Sequence, residues 1–284
     1  MEKQKTLSNE ALKKAIRIFA ARKRLFTLLA LFGLIIPEVG VSIYSDVNAI
    51  ALAEFIHAAS ASNSSFNEVW LKATSYYGGF FAVVGLSWFL VMAIYFACVR
   101  VCLDELRGER GIGWTSYYLS GLKDFFRRGL PVFALFFLLI SSQNATSLFS
   151  LFLCTLALMA PVLAVVEERG GLSALWTAVS LKYTKEADYN VWNIMLTLFF
   201  FGSVGCAAII LSEFASDYFL NLDIYTSIPR DFWHTRVGEP PLRFTYLISV
   251  LTRAVVSAIA MIGLAITASC VYFSLVDHRI ETAA

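Results

Sequence analysis

The sequence predicts an all-α protein, a polytopic helical membrane bundle of about six transmembrane helices with in-plane amphipathic helices on its cytoplasmic side. Three observations indicate this fold class. The 284 residues are 58% hydrophobic and only 15% charged, whereas a soluble domain carries about a quarter charged residues. Most of the uncharged runs exceed the roughly 18 apolar residues that indicate a membrane span, and lysine and arginine are concentrated on one side of these runs. A soluble enzyme, a disordered chain and a secreted disulfide scaffold are thereby excluded.

The positions of the uncharged runs define the predicted spans. The run 129–166 would form a single helix of about 57 Å, far longer than a hydrocarbon core of about 30 Å. Turn-forming residues at 141–147 divide it into two spans, of which the first is short. The six predicted spans are 25–44, 77–99, 130–142, 147–166, 191–213 and 247–276.

The distribution of cations predicts that both termini face the cytoplasm. Of the 23 lysines and arginines, 18 lie on the side that holds the N-terminal segment, and the other five lie outside or at the outer boundary. Cytoplasmic segments carry the excess of such cations. The chain therefore divides into a cytoplasmic amphipathic segment 1–24, a membrane domain 25–276 and a cytoplasmic tail 277–284, and we expect it in the plasma (inner) membrane.

The first apolar run is predicted to be a retained span and not a cleaved signal. About 24 residues precede it, and Pro37, Glu38 and Gly40 stand where a signal peptide has small residues for cleavage. The preceding residues 8–23 are predicted to form an amphipathic helix, with the cations largely off its apolar stripe. This helix either docks onto anionic headgroups or is only a basic flank that holds the first span, and both interpretations stay open. Its stripe consists of Leu12, Ile16 and Phe19, with Ala15 and Ile18 beside them.

Two further cytoplasmic segments, 115–128 and 171–184, are predicted to be surface helices. In the first, aromatic and aliphatic side chains face one way, and Lys123, Arg127 and Arg128 lie on the other flank. The second follows a glycine pair that permits a turn at the end of the fourth span. Together with 8–23, these segments predict a structured cytoplasmic collar around the bundle.

One charged side chain lies well inside a predicted span. Glu38 is 13 residues after Leu25, hence about 20 Å into the core, and it follows Pro37, which removes an internal hydrogen bond. A charge at this depth is costly and is by default a functional candidate. Three interpretations of Glu38 are open. It carries protons or binds a cation, it forms a structural pair with Arg253 of the sixth span, or it lies at the outer interface because the first span is shifted. The sequence favours the last two interpretations.

Small side chains line one face of the fifth and sixth spans, at the four-residue spacing that lets helix backbones approach closely. Packing of these two helices within the chain is the simpler interpretation, and an interface with another chain is the alternative. The candidate helix-packing residues are Gly202, Cys206, Ala254, Ala258 and Gly263.

The groups needed for catalysis are missing from the predicted spans. An intramembrane hydrolase needs a nucleophile and a base, or metal ligands, within the bilayer, but no predicted span contains aspartate or histidine. No common catalytic or phosphate-binding motif occurs either. An interfacial site in an outer loop, formed by Asp231, His234 and Arg236, is the alternative, and a solvated polar loop is the simpler interpretation. We therefore expect no catalytic activity.

The five cysteines predict neither a disulfide framework nor a metal site. All lie inside or at the edge of apolar runs, where a thiol behaves as a small hydrophobic group. Cys98 and Cys102 are one helical turn apart, but no histidine lies in a span to complete a metal site. We expect no metal and no cofactor. The net charge of +2 is too balanced to indicate a nucleic-acid partner.

The exit of the fourth span resembles a known family. In order, the matching residues are Pro161, Val165-Val166-Glu167, Gly170, Ala174-Leu175, Ser180-Leu181 and Trp192. This pattern resembles the six-span bacterial and archaeal integral membrane proteins related to the membrane domain of glycerophosphodiester phosphodiesterase and to YciC-like proteins. The resemblance covers about residues 90–210 and departs from the family at Thr177-Ala178, where arginine and serine are usual. It implies a six-span fold and a membrane location, and it does not extend to the phosphodiesterase activity.

We expect a non-catalytic accessory or scaffold subunit of a membrane assembly. Its partners are expected to be the lipid bilayer and either other proteins or further copies of the chain, bound through the fifth and sixth spans. The alternative is a transporter or lipid-handling protein that uses Glu38 and the hairpin of the third and fourth spans. No inverted repeat is evident between the two halves, which disfavours a transporter.

Overall fold

A computed structural model describes residues 7–44, 55, 66–109, 112–132, 134, 156–182, 191–205, 207–208, 211 and 244–282. These residues form helices and short connections and contain no strand, so the all-α prediction is confirmed for this part of the chain. The main helices are α1 (Leu7–Ala30), α2 (Phe66–Arg107), α3 (Trp114–Asp124), α4 (Met159–Val166), α5 (Gly171–Val179), α6 (Val191–Gly205) and α7 (Phe244–Thr282).

Helix α1 continues into the first predicted span through a π-helical turn, Leu31–Ile35. The turn precedes Pro37, which has no N–H to donate and whose ring crowds the carbonyl four residues earlier. The N–H of Ile36 bonds instead to the carbonyl of Leu31, five residues back, which is the π-helical pattern. The helical run then extends to Tyr44.

The N-terminal part of α1 is bent away from the rest at Arg22, whose dihedral angles are non-helical, φ −115° and ψ 22°. Before this kink, one face of the helix is buried and contributes to the core that includes the C-terminal part of α7. The apolar residues that the sequence grouped on one stripe are divided between two faces. Ala15 and Ile18 are buried with Leu7 and Ala11, whereas Leu12, Ile16 and Phe19 are exposed.

Helix α2 has 42 residues and is about 63 Å long at 1.5 Å per residue. It contains the predicted second span 77–99 and continues to Arg107. From Met92 to Leu103 its side chains are buried, apart from the half-buried Arg100, whereas several large side chains in its N-terminal half are exposed. The hydrophobic core therefore surrounds the C-terminal half of α2.

Helix α3 lies directly against this half of α2. A Cβ atom on Gly121 would lie 2.7 Å from the backbone nitrogen of Ala97, and it would also collide with the carbonyl oxygen of Ala93. No larger residue fits here, so glycine lets the two backbones touch. After α3, the segment Phe125–Gly129 forms a second π-helical turn. The predicted surface helix 115–128 is thus an α-helix followed by a π-helical turn.

Two helical runs, Leu7–Tyr44 and Leu247–Leu275, are long and apolar enough to cross a membrane, and α6 is a shorter apolar helix. Helix α6 packs on α7 through Gly205, on which a Cβ atom would lie 2.7 Å from Cδ1 of Leu264. Most of the predicted third span, the start of the fourth and the end of the fifth lie outside the described residues.

Candidate functional site

The π-helical turn of α1 is followed by Glu38, which borders a small pocket between α1, α2 and α7. The pocket offers about 20 Å³ to the centres of water molecules, which is room for one or two waters. Apart from Glu38 and Ser257 its lining is apolar, and it is formed by Leu34, Val91, Ala254, Ala258 and Met261. Isolated π-helical turns are frequent at functional sites. We call this site the Glu38 pocket.

Arg253 lies beside the same pocket. It directly precedes the lining residue Ala254, and its Nη2 donates a hydrogen bond to Oγ of Ser42, one helical turn after Glu38. The structure therefore brings the two members of the predicted charge pair to neighbouring positions on α1 and α7. It identifies Ser42 as a partner of the guanidinium, and the ion pair between Glu38 and Arg253 stays a prediction.

The Glu38 pocket offers few oxygen ligands for a metal ion. A carboxylate accepts hydrogen bonds and binds hard cations, and Ser257 adds one hydroxyl group. Magnesium and calcium take about six or more oxygen ligands, which is more than these two side chains and one or two waters supply. The lining therefore presents one carboxylate and one hydroxyl group in otherwise apolar surroundings.

The predicted helix-packing residues occupy different environments. Gly202, Ala254 and Ala258 are buried. A Cβ atom on Gly263, in contrast, would meet no atom within 4 Å, so this side of α7 is open in the single chain. Cys206 lies outside the described residues.

A network of charged side chains joins the helices at the end of the bundle that the sequence predicts to be cytoplasmic. Asp124, at the end of α3, is 4% exposed and forms an ion pair with Arg100 of α2. Arg128, one turn later and 8% exposed, lies 4.0 Å from the same carboxylate. Its Nη1 donates a hydrogen bond of 2.9 Å to the carbonyl oxygen of Ala164 on α4. Because buried charges are costly unless they are paired, these contacts fix α3 relative to α2 and α4.

Glu167, which follows α4, extends the network to α5 and α7. Its Oε1 accepts a hydrogen bond of 2.8 Å from the hydroxyl of Tyr272, and its Oε2 pairs with Arg169. Nη1 of Arg169 in turn donates a hydrogen bond of 3.1 Å to Oγ1 of Thr177 on α5. The exit of α4 is thus connected to both neighbouring helices.

Helix α1 is attached to the C-terminal end of α2 at its kink. Arg22 forms an ion pair with Glu105 and also donates from Nη2 to the carbonyl oxygen of Glu109, at 3.2 Å. Nearby, the hydroxyl of Tyr117 on α3 donates a hydrogen bond of 2.6 Å to Asp104. Burial and this hydrogen bond raise the pKa of Tyr117 to about 12.

The sequence pattern does not indicate this network. It places Arg128 on the flank away from the apolar side chains of the helix 115–128, whereas the structure buries it. A local signal existed, because Asp124 and Arg128 are four residues apart and enclose Phe125, in a segment that is otherwise largely apolar. The partners on α2 and α4 left no such signal.

The groups considered for metal binding and catalysis do not form a site in the described part of the chain. Cys98, Cys102 and Cys270 are buried free thiols. Among the described residues, no group of three or more metal-binding side chains comes together. The outer-loop residues Asp231, His234 and Arg236 lie outside the described residues.

Comparisons of the chain with protein-family models, with curated proteins and with solved structures return no match. The function proposed for the chain is therefore inferred from its own residues.

Proposed function

We propose that the chain is an integral membrane protein of six transmembrane helices, with both termini in the cytoplasm, that serves without catalytic activity as an accessory or scaffold subunit of a membrane assembly. The outward apolar surface of the run Leu7–Tyr44 is the observation that supports membrane insertion, whereas the other long apolar run, Leu247–Leu275, is 61% buried in its most apolar part. Only 28% of the most apolar part of the run Leu7–Tyr44 is buried. The core helix of a soluble protein is mostly buried, whereas an apolar helix with an uncovered surface fits a lipid environment.

Helix α6 has a similar outward stripe. Its exposed side chains are four residues apart and therefore lie along one side of the helix, while Ile194 and Leu198 on the other side are buried. In water this stripe would stay uncovered, whereas acyl chains cover it. The stripe consists of Trp192, Leu196, Phe200 and Val204, which are between 51% and 62% exposed.

The collar helices support a location in the membrane interface. Leu119 and Phe126, in and after α3, are exposed, as are Leu172 and Trp176 of α5. Lys182 lies 5.7 Å from the centre of the Trp176 ring. In-plane helices direct apolar side chains toward the acyl chains and keep their cations at headgroup level.

Cell fractionation and cysteine labelling test the membrane topology. We expect the chain to stay in the membrane pellet after an alkaline carbonate wash. We expect fluorescent proteins fused to either terminus to be protected from external protease. A cysteine that replaces Asn144, in the predicted turn between the third and fourth spans, should react with an impermeant maleimide from outside. Release by carbonate would contradict insertion, and labelling of Asn144→Cys only after lysis would contradict six spans.

The open side of α7 supports an assembly role. Ile259 is 66% exposed, and Gly263 follows it one turn later with free space around it. The buried residues Ala254 and Ala258 contact the chain's own helices from another side. A small residue beside an outward side chain lets a second membrane helix approach closely. We assign the contact with a protein partner or a second copy to the Ile259–Gly263 side of α7.

Native mass spectrometry of the detergent-extracted protein tests the assembly role. We expect a complex with a defined protein stoichiometry, which the substitution Gly263→Leu dissociates. Gly85→Leu is the matched control, because Gly85 on α2 is also partly exposed and also has no atom near its Cβ position. A monomer that carries only lipid would contradict the assembly role.

The Glu38 pocket favours a second candidate function, proton transport. Ionisable side chains within membrane spans belong by default to proton or ion pathways, and Glu38 lies in a largely apolar pocket directly after a π-helical turn. In proteoliposomes with a trapped pH-sensitive dye, wild-type protein should conduct protons, Glu38→Asp should retain part of this flux and Glu38→Gln should lose it. Absence of flux in the wild type, or equal flux in all three proteins, would exclude this candidate.

A further inference from the structure

The N-terminal part of α1, residues 7–21, presents two apolar faces. One face is buried against the rest of the chain and consists of Leu7, Ala11, Ala15 and Ile18. The other face points outward and consists of Leu12, Ile16 and Phe19, which are 45%, 61% and 48% exposed. A helix that packs on its own protein through one face needs no second apolar face unless something apolar covers it. We call the second face the outward stripe.

Cations border the outward stripe on one side. Lys13 and Arg17 are exposed and lie about 100° and 140° around the helix from Leu12, at 100° per residue, and Arg24, after the kink at Arg22, is exposed as well. Glu10 is the one acidic residue between residues 7 and 30. The accessible surface of this helix therefore combines an apolar stripe with exposed cations.

The packing against α7 sets the depth of the outward stripe. The buried face of α1 belongs to the same core as the C-terminal part of α7, and Lys14 is close enough to Cys270 for an electrostatic interaction. Cys270 precedes the end of the sixth predicted span by six residues, or about 9 Å. The outward stripe consequently lies at the level of the inner leaflet.

We propose that residues 7–24 form a binding surface for anionic phospholipids of the inner leaflet. The outward stripe inserts among the acyl chains, and the cations Lys13, Arg17 and Arg24 bind the headgroup phosphates. Charge complementarity favours lipid as the occupant, because the same cations would repel the equivalent helix of a second copy. This inference rests on the proposed membrane insertion and extends it to the recognition of a lipid class.

Spin labelling of the full chain tests the location of the outward stripe. The native cysteines are replaced by alanine, and a nitroxide is attached to single cysteines in nanodiscs that contain phosphatidylcholine and phosphatidylglycerol. We expect nitroxides at positions 12, 16 and 19 to be accessible to oxygen and protected from a water-soluble nickel chelate. A nitroxide at Ala21, which is exposed on the opposite side of the helix, should be accessible to the nickel chelate and less accessible to oxygen.

A label at Phe200, on the outward stripe of α6 that faces the acyl chains, separates failure of this inference from failure of the proposed function. If Phe200 is protected and positions 12, 16 and 19 are as accessible to nickel as Ala21, only the lipid-binding surface is wrong. If Phe200 is also accessible, membrane insertion itself is wrong. Dipolar broadening between labels at position 16 would overturn the inference in favour of a contact between copies.

Lipid retention provides a second measurement that needs no cysteine-free chain. The protein is extracted from membranes that contain phosphatidylcholine and phosphatidylglycerol, and bound lipids are counted by native mass spectrometry. The triple variant K13Q/R17Q/R24Q should retain at least about fivefold less phosphatidylglycerol than wild type, because each single cation near an anionic surface contributes about a factor of five and three are removed. The charge-conserving variant K13R/R17K/R24K should retain it. Equal retention in the two variants would overturn the inference.

Discussion

Single residues determine the stability of the charged network, and Asp124 has the central position in it. Its carboxylate is almost fully buried and lies between the guanidinium groups of Arg100 and Arg128. Moving an ion out of water costs several kcal/mol, which only well-placed partners offset. Arg128 has a further hydrogen bond to the carbonyl oxygen of Ala164. Removal of one member therefore leaves the others desolvated without full compensation.

The substitution Asp124→Asn keeps the shape of the side chain and removes the charge that both guanidinium groups face. We expect a loss of about 3 kcal/mol in the free energy of unfolding, because breaking a buried pair leaves an uncompensated charge. Chemical unfolding in detergent micelles measures it. Arg127→Gln, at an exposed neighbouring position, is the control and should change the free energy by less than about 0.5 kcal/mol. Equal losses in both variants would contradict the role of the buried network.

Because the pKa of Tyr117 is raised, we expect the free energy of unfolding to fall at alkaline pH. Because its pKa rises from 10.0 to about 12 on folding, the folded state holds the phenol proton more tightly than the unfolded state. The resulting stabilisation, roughly 2 kcal/mol, is complete below the unfolded-state pKa. This stabilisation is lost as the pH rises from the pKa of Tyr117 in the unfolded state through its pKa in the folded state.

Comparison of wild type with Tyr117→Phe isolates this effect. Below about pH 10, where the phenol is neutral in both states, the two proteins should differ by a constant amount, which reflects the hydrogen bond to Asp104. Above that pH the wild type should lose stability faster, so the difference should shrink. Unfolding curves recorded in one detergent across this pH range provide the measurement. A constant difference over the whole range would contradict the raised pKa.

At the scale of elements, the existence of the helices could be predicted because apolar residues at helical spacing are a local property of the chain. The surface helix predicted over 171–184 corresponds to α5, and that over 115–128 to α3 and the π-helical turn after it. Local spacing could not show which face of a helix meets the protein. In α1, Ile16 and Ile18 are equally apolar, and only the positions of helices far away in sequence bury one and expose the other.

The same distinction separates the two parts of the candidate site. Glu38 could be identified from the sequence because a proline and a charge inside an apolar run are both local signals. Arg128 could not be assigned correctly, because its burial depends on α4 and its charge is balanced by Asp124 and Glu168. Charges whose partners come from other helices look like solvated charges in a sequence.

The two adjacent glycines before and at the start of α5 provide a matched test of helix packing. A Cβ atom on Gly171 would collide with the carbonyl oxygen of Arg128 and lie 2.8 Å from Cδ of Pro131, whereas one on Gly170 would meet nothing within 4 Å. We expect Gly171→Ala to destabilise the protein by about 1–3 kcal/mol through overpacking. Gly170→Ala, at φ −64°, should stay within about 1 kcal/mol of wild type. Thermal unfolding of both variants in the same detergent measures these losses of stability. Equal losses in the two variants would contradict the close approach of α5 to the Arg128 backbone.

At the scale of the whole molecule, protein packing is unevenly distributed among the residues that the structure describes. Their buried side chains concentrate around the C-terminal half of α2, α4 and the C-terminal part of α7. The N-terminal half of α2 instead exposes Trp70, Leu71 and Leu86. In the proposed membrane orientation, the packed end is cytoplasmic and continuous with the charged network, and the other end is covered largely by lipid. Folding stability should therefore depend mainly on the packed end.

Two leucine truncations test this uneven distribution. Leu163 on α4 is fully buried, so Leu163→Ala should cost about 2–5 kcal/mol through the lost contacts and the cavity that remains. Leu251 on α7 is half exposed, and acyl chains can fill the space that Leu251→Ala leaves, so we expect a loss below about 1 kcal/mol. Unfolding by increasing mole fractions of a denaturing detergent in bicelles measures both variants on one scale. If Leu251→Ala lowers the free energy of unfolding as much as Leu163→Ala does, this part of α7 is enclosed by protein. That result would contradict the proposal that lipid covers this end of the bundle.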